Sequence, residues 1–292
     1  MFNKIILNLL FSVLVFTTSL SALPFNAGST ASYNLSQKAL LNISFQSSSY
    51  KANSDCTIGF DVKILKDNNG SYPLEVEFIL RHAYVDESQV DGLSVRKIYF
   101  DSKQLPEVEN INLANFYNKL LNHPLTFKID GEFQVTEISG YLEELSEDFS
   151  SPSQIGLLGT TPSSFEFLFT QLFHLADQTL VEGKSYPVSS YQLLNWEDEP
   201  LNEKEYEIQQ TSIYQINSIR NGSIEGVWKA ESNLIGRKDD CNGNVSLESN
   251  VSWDMNNPLK QTRHLDATIE ESSSVFVPVK ILLKVEQDWQ AL

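Results

Sequence analysis

Apolar and polar positions alternate with a period of two over most of the chain. Between residues 57 and 66, Ile58, Phe60, Val62 and Ile64 fall on one side and Gly59, Asp61 and Lys63 on the other, as a half-buried strand requires. Asp67-Asn68-Asn69-Gly70-Ser71 then supplies turn chemistry, and Leu74, Val76, Phe78 and Leu80 resume the alternation, which predicts a hairpin. The same grammar recurs. Leu125, Phe127 and Ile129 run into Asp130-Gly131, after which Phe133, Val135 and Ile138 return. Tyr206 to Ile219 is joined through Asn221-Gly222-Ser223 to Ile224 to Ala230, and Val245 to Trp253 through Met255-Asn256-Asn257-Pro258 to Thr262 to Ile269. Val275, Val277, Val279, Ile281, Leu283 and Val285 share one face of a long terminal strand, of the kind that closes a sheet.

Two stretches change period. Leu113, Phe116, Tyr117, Leu120 and Leu121 recur at helical spacing, with Asn110 or Asn112 as the N-cap and Pro124 beyond the end. Ser163-Ser164-Phe165-Glu166 is a capping box, in which the Ser and Glu side chains satisfy two orphan backbone donors. Phe165, Leu168, Phe169, Leu172, Phe173 and Ala176 then form one stripe, widened by Phe167 and Leu175, which predicts a largely buried helix. A shorter acidic helix is expected over Tyr141 to Phe149. The fold class that follows is mainly β: antiparallel sheets or half-barrels with two to three short helices. Its expected organisation is a signal peptide at 1–21, an N-terminal β lobe with one helix at 22–149, and a C-terminal β lobe with the Phe-rich helix at 150–292. The seam would be Ser150 to Ser164, where Ser, Pro, Gly and Thr crowd together. A weak internal echo supports the division: Asn69-Gly70-Ser71 and Asn221-Gly222-Ser223 each turn a hairpin, and Lys128 to Thr136 parallels Ser252 to His264.

The start of the chain gives an address. Lys4 precedes an apolar run, Ile5 to Phe16, broken only by Asn8 and Ser12, and Ser19-Leu20-Ser21-Ala22 offers small residues for cleavage between Ser19 and Leu23. That run is shorter than the roughly 20 residues needed to span a bilayer, and no later run reaches about 18, so no transmembrane segment is expected after cleavage. The reading is an exported protein, periplasmic or secreted. Cys56 and Cys241 are the only cysteines. An even pair in an oxidising compartment points to one disulfide, with two buried thiols as the alternative, while the lack of Cys-x-x-Cys argues against zinc.

Charge narrows the partners. With 38 acidic residues against 21 basic and a formal net charge of −17, the surface repels phosphate backbones, which excludes nucleic acid. Catalytic signatures are missing as well. Gly222-Ser223-Ile224-Glu225-Gly226 has the wrong spacing for a nucleophile elbow. His82, His123, His174 and His264 lie far apart and form no His-Glu-x-x-His. Asp67-x-Asn69-x-Ser71 lacks the Gly and Glu that a calcium loop needs at its sixth and twelfth positions, where Tyr72 and Phe78 stand. Glu143, Glu144, Glu147, Asp148, the Glu197-Asp198-Glu199 run and Glu270-Glu271 read as solvated faces. These observations predict a protein that is not an enzyme and has no metal or cofactor. What remains is apolar volume: 17 Phe, 11 Tyr and 4 Trp. A Phe-rich helix beside a curved sheet either plugs it or leaves a cavity, which makes Phe165, Leu168, Phe169, Leu172 and Phe173 the candidate ligand-binding residues.

Three short stretches carry a family resemblance: Tyr99-Phe100-Asp101-Ser102, then Phe127-Lys128-Ile129-Asp130-Gly131-Glu132-Phe133-Gln134-Val135, then Val181-Glu182-Gly183-Lys184-Ser185-Tyr186. With them the chain resembles exported bacterial proteins of similar length built from two similar β-rich halves, from which it departs in having no lipobox Cys. The resemblance implies a fold and an address and supplies no site. Two function classes follow: a non-catalytic envelope protein that binds or carries a hydrophobic small molecule or lipid, and a structural module that meets another envelope protein through its acidic surface or a sheet edge.

Overall fold

In the computed structural model the described residues are 19–20, 25–45, 48–66, 73–104, 111–130, 135–140, 168–169, 171–173, 179–187, 206–236, 241–273 and 279–292. The leader up to residue 18, the 67–72 turn, the acidic segment at 141–149, the 150–164 seam, Phe165, His174, Val275 and Val277 lie outside them.

Long alternating runs make long strands. Among the described residues these are β1 (Ser19–Leu20), β2 (Thr30–Phe45), β3 (Ser48–Lys66), β4 (Leu74–Asp91), β5 (Ser94–Asp101), β6 (Pro124–Ile129), β7 (Val135–Ser139), β8 (Leu180–Val181), β9 (Ser185–Pro187), β10 (Tyr206–Arg220), β11 (Ser223–Gly236), β12 (Cys241–Asp254), β13 (Gln261–Ser273) and β14 (Val279–Ala291). One helix, α1 (Ile111–Leu120), interrupts them, and 168–169 and 171–173 are also helical. β1 pairs only with β8. The others form one open antiparallel sheet in the order β7-β6-β4-β3-β2-β14-β13-β12-β11-β10-β9, with β5 also on β4. The mainly β architecture read from the pattern is therefore the one observed, but the halves do not form two sheets. β14 runs antiparallel to β2 from Ala291 opposite Tyr33 to Val279 opposite Phe45, which joins the end of the chain to its first long strand.

The expected hairpins are present as β3–β4, β6–β7, β10–β11 and β12–β13. At the β10–β11 turn Asn221 and Gly222 both have positive φ, 53° and 79°, the backbone that a two-residue turn matching strand twist requires and that Asn-Gly tolerates best. α1 ends where Asn122 turns left-handed at φ 58°, and its buried Tyr117 stacks on Phe100 of β5 with ring centroids 5.1 Å apart.

Because successive residues of a strand face opposite ways, one parity of each strand faces inward. On β3 that set includes Ala52, Ser54, Cys56 and Ile58, and on β2 it is Tyr33, Leu35, Gln37, Ala39 and Leu41, all buried. The main core draws on both halves of the chain, with Ile58, Phe78 and Phe127 from one and Phe169, Trp228 and Trp253 from the other. A separate small cluster, Ala39, Leu41, Ala52 and Leu283, lies further along β2, β3 and β14 on the same inward face.

Candidate functional site on the inward face

The helical residues at 168–173 seat Leu168, Phe169, Leu172 and Phe173 in the main core, all fully or nearly fully buried. Phe169 meets Phe127 of β6 edge-on at 4.9 Å, and Phe173 meets Phe25 at 5.2 Å. Such edge contacts add to the area buried by each ring. Four of the five candidate ligand-binding residues are thus gathered at one place, and the fifth, Phe165, lies outside the described residues.

Two polar side chains of β13 tie this segment to the sheet. Arg263 Nη2 donates to the Gln171 carbonyl at 2.6 Å and to Gln261 Oε1 at 3.1 Å. Gln261 Nε2 donates to the Leu172 carbonyl at 3.4 Å. Arg263 is buried, and its guanidinium lies between the rings of Trp228 and Trp289 at 5.9 and 5.8 Å, within reach of cation–π attraction. Tyr33 and Tyr214 also flank it. Burial drives both phenols far above their ordinary pKa and pulls the guanidinium below its own, while the tyrosines beside Arg263 work in the opposite direction. The aromatic wall fits because Gly226, two strands away in the Arg263 row, leaves space: a Cβ there would come within 3.1 Å of the Tyr214 ring and 3.2 Å of the Trp253 ring. Arg263 Nε and Nη1 and Gln171 Nε2 and Oε1 are buried without a close hydrogen bond, as is Ser249 Oγ one inward position along β12, whereas Tyr214 lies within bonding reach of Arg263 and Tyr33 within reach of the Gln261 backbone.

The next row of the inward face is polar too. Trp289 Nε1 donates to Gln287 Oε1 at 3.3 Å, and Gln287 Nε2 donates to Gln37 Oε1 at 2.7 Å across the β14–β2 ladder. Beyond it the face turns aliphatic. Ala39 lies opposite Val285, Leu41 opposite Leu283 and Ile43 opposite Ile281, with Ala52 and Tyr50 following on β3. Ile43, Tyr50, Ile281 and Val285 are only half-buried, and the described members of this cluster all belong to the sheet itself. From Trp289, level with Arg263, to Ile281 is eight residues, about 26 Å of strand.

The outward face has a different chemistry. His264 Nδ1 is 2.7 Å from Asp288 Oδ1, and its Nε2 is 3.3 Å from Asp266 Oδ2. The bond to Asp288 and the surrounding carboxylates of Asp266, Asp288 and Glu286 raise the pKa of this imidazole, against a smaller opposing effect of burial. Ligand atoms of His264, Glu286 and Asp288 lie within 4.8 Å of one another, a spacing that could hold a metal ion, but on an exposed face with the imidazole already bonded to carboxylates. Nearby, an open trough of about 590 Å³ has Lys38, Asp55, Asp86, Asp266, Lys284 and Glu286 in its lining. Charged walls of both signs do not suit an apolar ligand.

The backbone register keeps Cys56 and Cys241, the expected disulfide pair, apart. The ladders place Cys241 opposite Ser273, then level with Val279, Phe45 and finally Ser48, eight residues along β3 from Cys56 and four strands away. That offset of roughly 26 Å along the strands far exceeds the Cα separation of about 7 Å that a bridge allows. Cys56 Sγ instead lies 2.9 Å from Ser54 Oγ inside the core. Among the described residues the histidines do not converge: the His82 ring packs over Gly59, where a Cβ would stand 2.2 Å from it, and His123 Nε2 bonds the Gly140 carbonyl at 2.9 Å. Arg263 escaped the sequence reading although a signal existed, since it shares the inward parity of Leu265, Ala267 and Ile269 and so puts a charge on the apolar side of a strand.

No family model and no curated sequence matches the chain. Among solved structures, one of lipid–protein interactions in lipovitellin is similar over 92% of this chain and 25% of that one, at 10% identity and a TM-score of 0.47. This chain thus spans about a quarter of that protein. Pseudomonas aeruginosa OccK7 is similar over 91% of this chain and 100% of that one, at 6% identity and a TM-score of 0.28. At these scores neither likeness bears on function.

Proposed function

We propose that this is an exported, non-catalytic protein that binds a hydrophobic, chain-like ligand along the inward face of its long sheet. The observation that carries the reading is the aliphatic strip beyond the packed core, where Ile43, Tyr50, Ile281 and Val285 are half-buried around the buried Leu41 and Leu283 and the described members of the cluster all belong to the sheet. An extended run of small and branched apolar side chains fits an acyl chain, which gains about 0.8 kcal/mol for each methylene it buries. Among the described residues no helix is long and apolar enough to cross a membrane.

The test pairs a melting curve with titration of a fluorescent fatty-acid probe into the purified protein. Saturable uptake that Leu41→Asp abolishes, in a variant that still melts cooperatively, is the expected result. A wild type that melts cooperatively and takes up no probe would refute the reading. The second reading, docking of another envelope protein, would then be the better one, and it draws on the exposed Leu93 and Val95 at the β4–β5 turn.

A further inference from the structure

Tight turns are normally polar, and large apolar side chains held together in water at the end of one mark a surface that something covers. Four large apolar side chains are exposed among the described residues, and two of them share the β4–β5 turn: Leu93 is fully exposed and Val95 is 64% exposed. The turn itself does not call for Leu93. Gly92, at φ 57°, fills the first of its two central positions, where left-handed backbone is needed, and the second makes no such demand. Val90 stands directly opposite Val95, so three apolar side chains lie at the end of one tight hairpin.

The charges behind this tip are basic, on a chain whose net charge is −17. Lys51 lies in the same row as Val90 and Val95, and Lys97 lies two residues further along the same face, about 7 Å away at the usual strand rise. Both are exposed, and among the described residues neither makes an ion pair, whereas Lys128 and Lys229 are each paired with a glutamate. Arg96, exposed on the other face, lies two residues from Ser94, the partner of Asp91, so the acid nearest the tip has a cation on its own face. The acidic row of the outward face, Asp55 opposite Asp86, begins about 13 Å behind Val90, beyond the Debye length of roughly 8 Å at physiological ionic strength. Apolar tip first, basic side chains next and carboxylates last is the order in which a bilayer offers acyl chains, anionic head groups and water.

We infer that the β4–β5 turn is a docking tip for an anionic lipid surface, with Leu93 and Val95 entering the head-group boundary and Lys51 and Lys97 meeting the lipid phosphates. The half-buried margin of the aliphatic strip ends at the same place: Ile281, Ile43, Tyr50, Asp91 and Ser94 form one row across the sheet, immediately before the turn. A docked tip therefore brings that end of the strip to the bilayer, from which a chain-like ligand would come. The docking does not depend on the hydrophobic-ligand reading, and the protein can pass one test and fail the other.

The experiment is flotation of the exported protein with vesicles of phosphatidylcholine, alone or mixed with phosphatidylglycerol, at low and high salt. Wild type is compared with Leu93→Ser, with Leu93→Ser and Val95→Ser together, and with Lys51→Gln and Lys97→Gln together. All four positions are exposed, so melting curves of these variants should match that of the wild type. The wild type is expected to bind the anionic vesicles and to come off them in high salt. Leu93→Ser should weaken that binding roughly tenfold, the worth of one leucine side chain leaving water. The double lysine variant should weaken it roughly 25-fold, about fivefold for each charge, and leave any binding to phosphatidylcholine as it was. All variants carry the same N-terminus as the wild type, so the differences report on the turn alone. Binding to neither vesicle overturns the inference and leaves the turn to a protein partner. Binding that survives the loss of both Leu93 and Val95 overturns the tip, and equal binding to both vesicles, indifferent to the lysine changes, overturns the anionic head group.

Discussion

Two stretches of one sheet face, formed by the same strands, are filled in opposite ways. At the Arg263 end the inward positions hold Trp289, Tyr33, Phe60 and Trp228, with the helical residues at 168–173 packed above them. At the other end the inward positions of the same β2 and β14 hold Ala39, Leu41, Leu283 and Val285, and the described contacts stay within the sheet. Both ends obey the same period of two, so alternation alone does not distinguish a core from a surface meant to be covered. Side-chain volume does. Interlocked aromatic rings fill space in three dimensions, whereas the ladder of small aliphatic residues has a buried centre, Ala39, Leu41, Ala52 and Leu283, and a half-buried margin, Ile43, Tyr50, Ile281 and Val285.

The largest effect that tests this contrast is expected at the packed end. Phe169→Ala removes a ring held between Phe127 and Phe173 and should cost about 3–5 kcal/mol, seen as a large fall in the melting temperature. A cost below about 1 kcal/mol would show that this end is not the packed one. At the aliphatic end, Leu283→Ala should cost only about 2 kcal/mol, the lower limit for such truncations, because the half-buried Ile281 and Val285 beside it can relax into the space. The same change should weaken fatty-acid probe binding more than Phe169→Ala does in protein that remains folded. If the two variants rank the other way in probe binding, the assignment of the two ends is reversed.

A smaller effect belongs to the boundary between them. Gln287 bonds both Gln37 and Trp289, so Gln287→Leu takes one hydrogen bond from each, at a cost near the lower end of the roughly 1–3 kcal/mol for such a loss. Replacing Gln37 by Leu as well should recover part of that cost. A double variant less stable than the sum of the singles would mean that the glutamines support the packed end more than they divide the face.

How far the residues announced this architecture depends on the element. β3, β4, β6 and β10 to β13 were legible because most of their apolar positions alternate and their turns carry Asn-Gly, Asp-Gly or, between β12 and β13, Asn-Asn-Pro. β2 was not read as a strand although Ala31, Tyr33, Leu35, Ala39, Leu41 and Ile43 share one parity, since Gln37 breaks the set and a signal-peptide boundary stands just before it. Without β2 the joining of the halves into one sheet through β14 was invisible. The disulfide failed for a related reason: an even cysteine count says nothing about register, and register sets these two eight residues apart. Leu168, Phe169, Leu172 and Phe173 were placed correctly in the core, but Arg263 beneath them was not, because its inward parity shows its meaning only once Gln171, Trp228 and Trp289 are seen around it.

The smallest effect concerns the residue next to Arg263. His264 follows it on β13 and so faces outward, where Asp288, Asp266 and Glu286 surround an imidazole that is 43% exposed. The two neighbours sharpen the contrast between faces: inside, a permanent charge is held by aromatic rings and carbonyls, and outside a titratable charge is held by carboxylates in contact with water. The bond to Asp288 raises the folded-state pKa of His264 above its unfolded value of about 6.5. Protonation therefore favours the folded state, and this contribution is complete below about pH 6.5 and disappears as the pH climbs through the raised folded-state value. At an exposed site it should amount to less than about 1 kcal/mol and shrink further in high salt. Melting curves of wild type and His264→Gln should accordingly differ more at pH 5.5 than at pH 9, and Asp288→Asn should narrow the gap at the lower pH. A difference that stays constant across that range would mean that His264 contributes by packing alone, and that the electrostatic distinction between the two faces does not extend to stability.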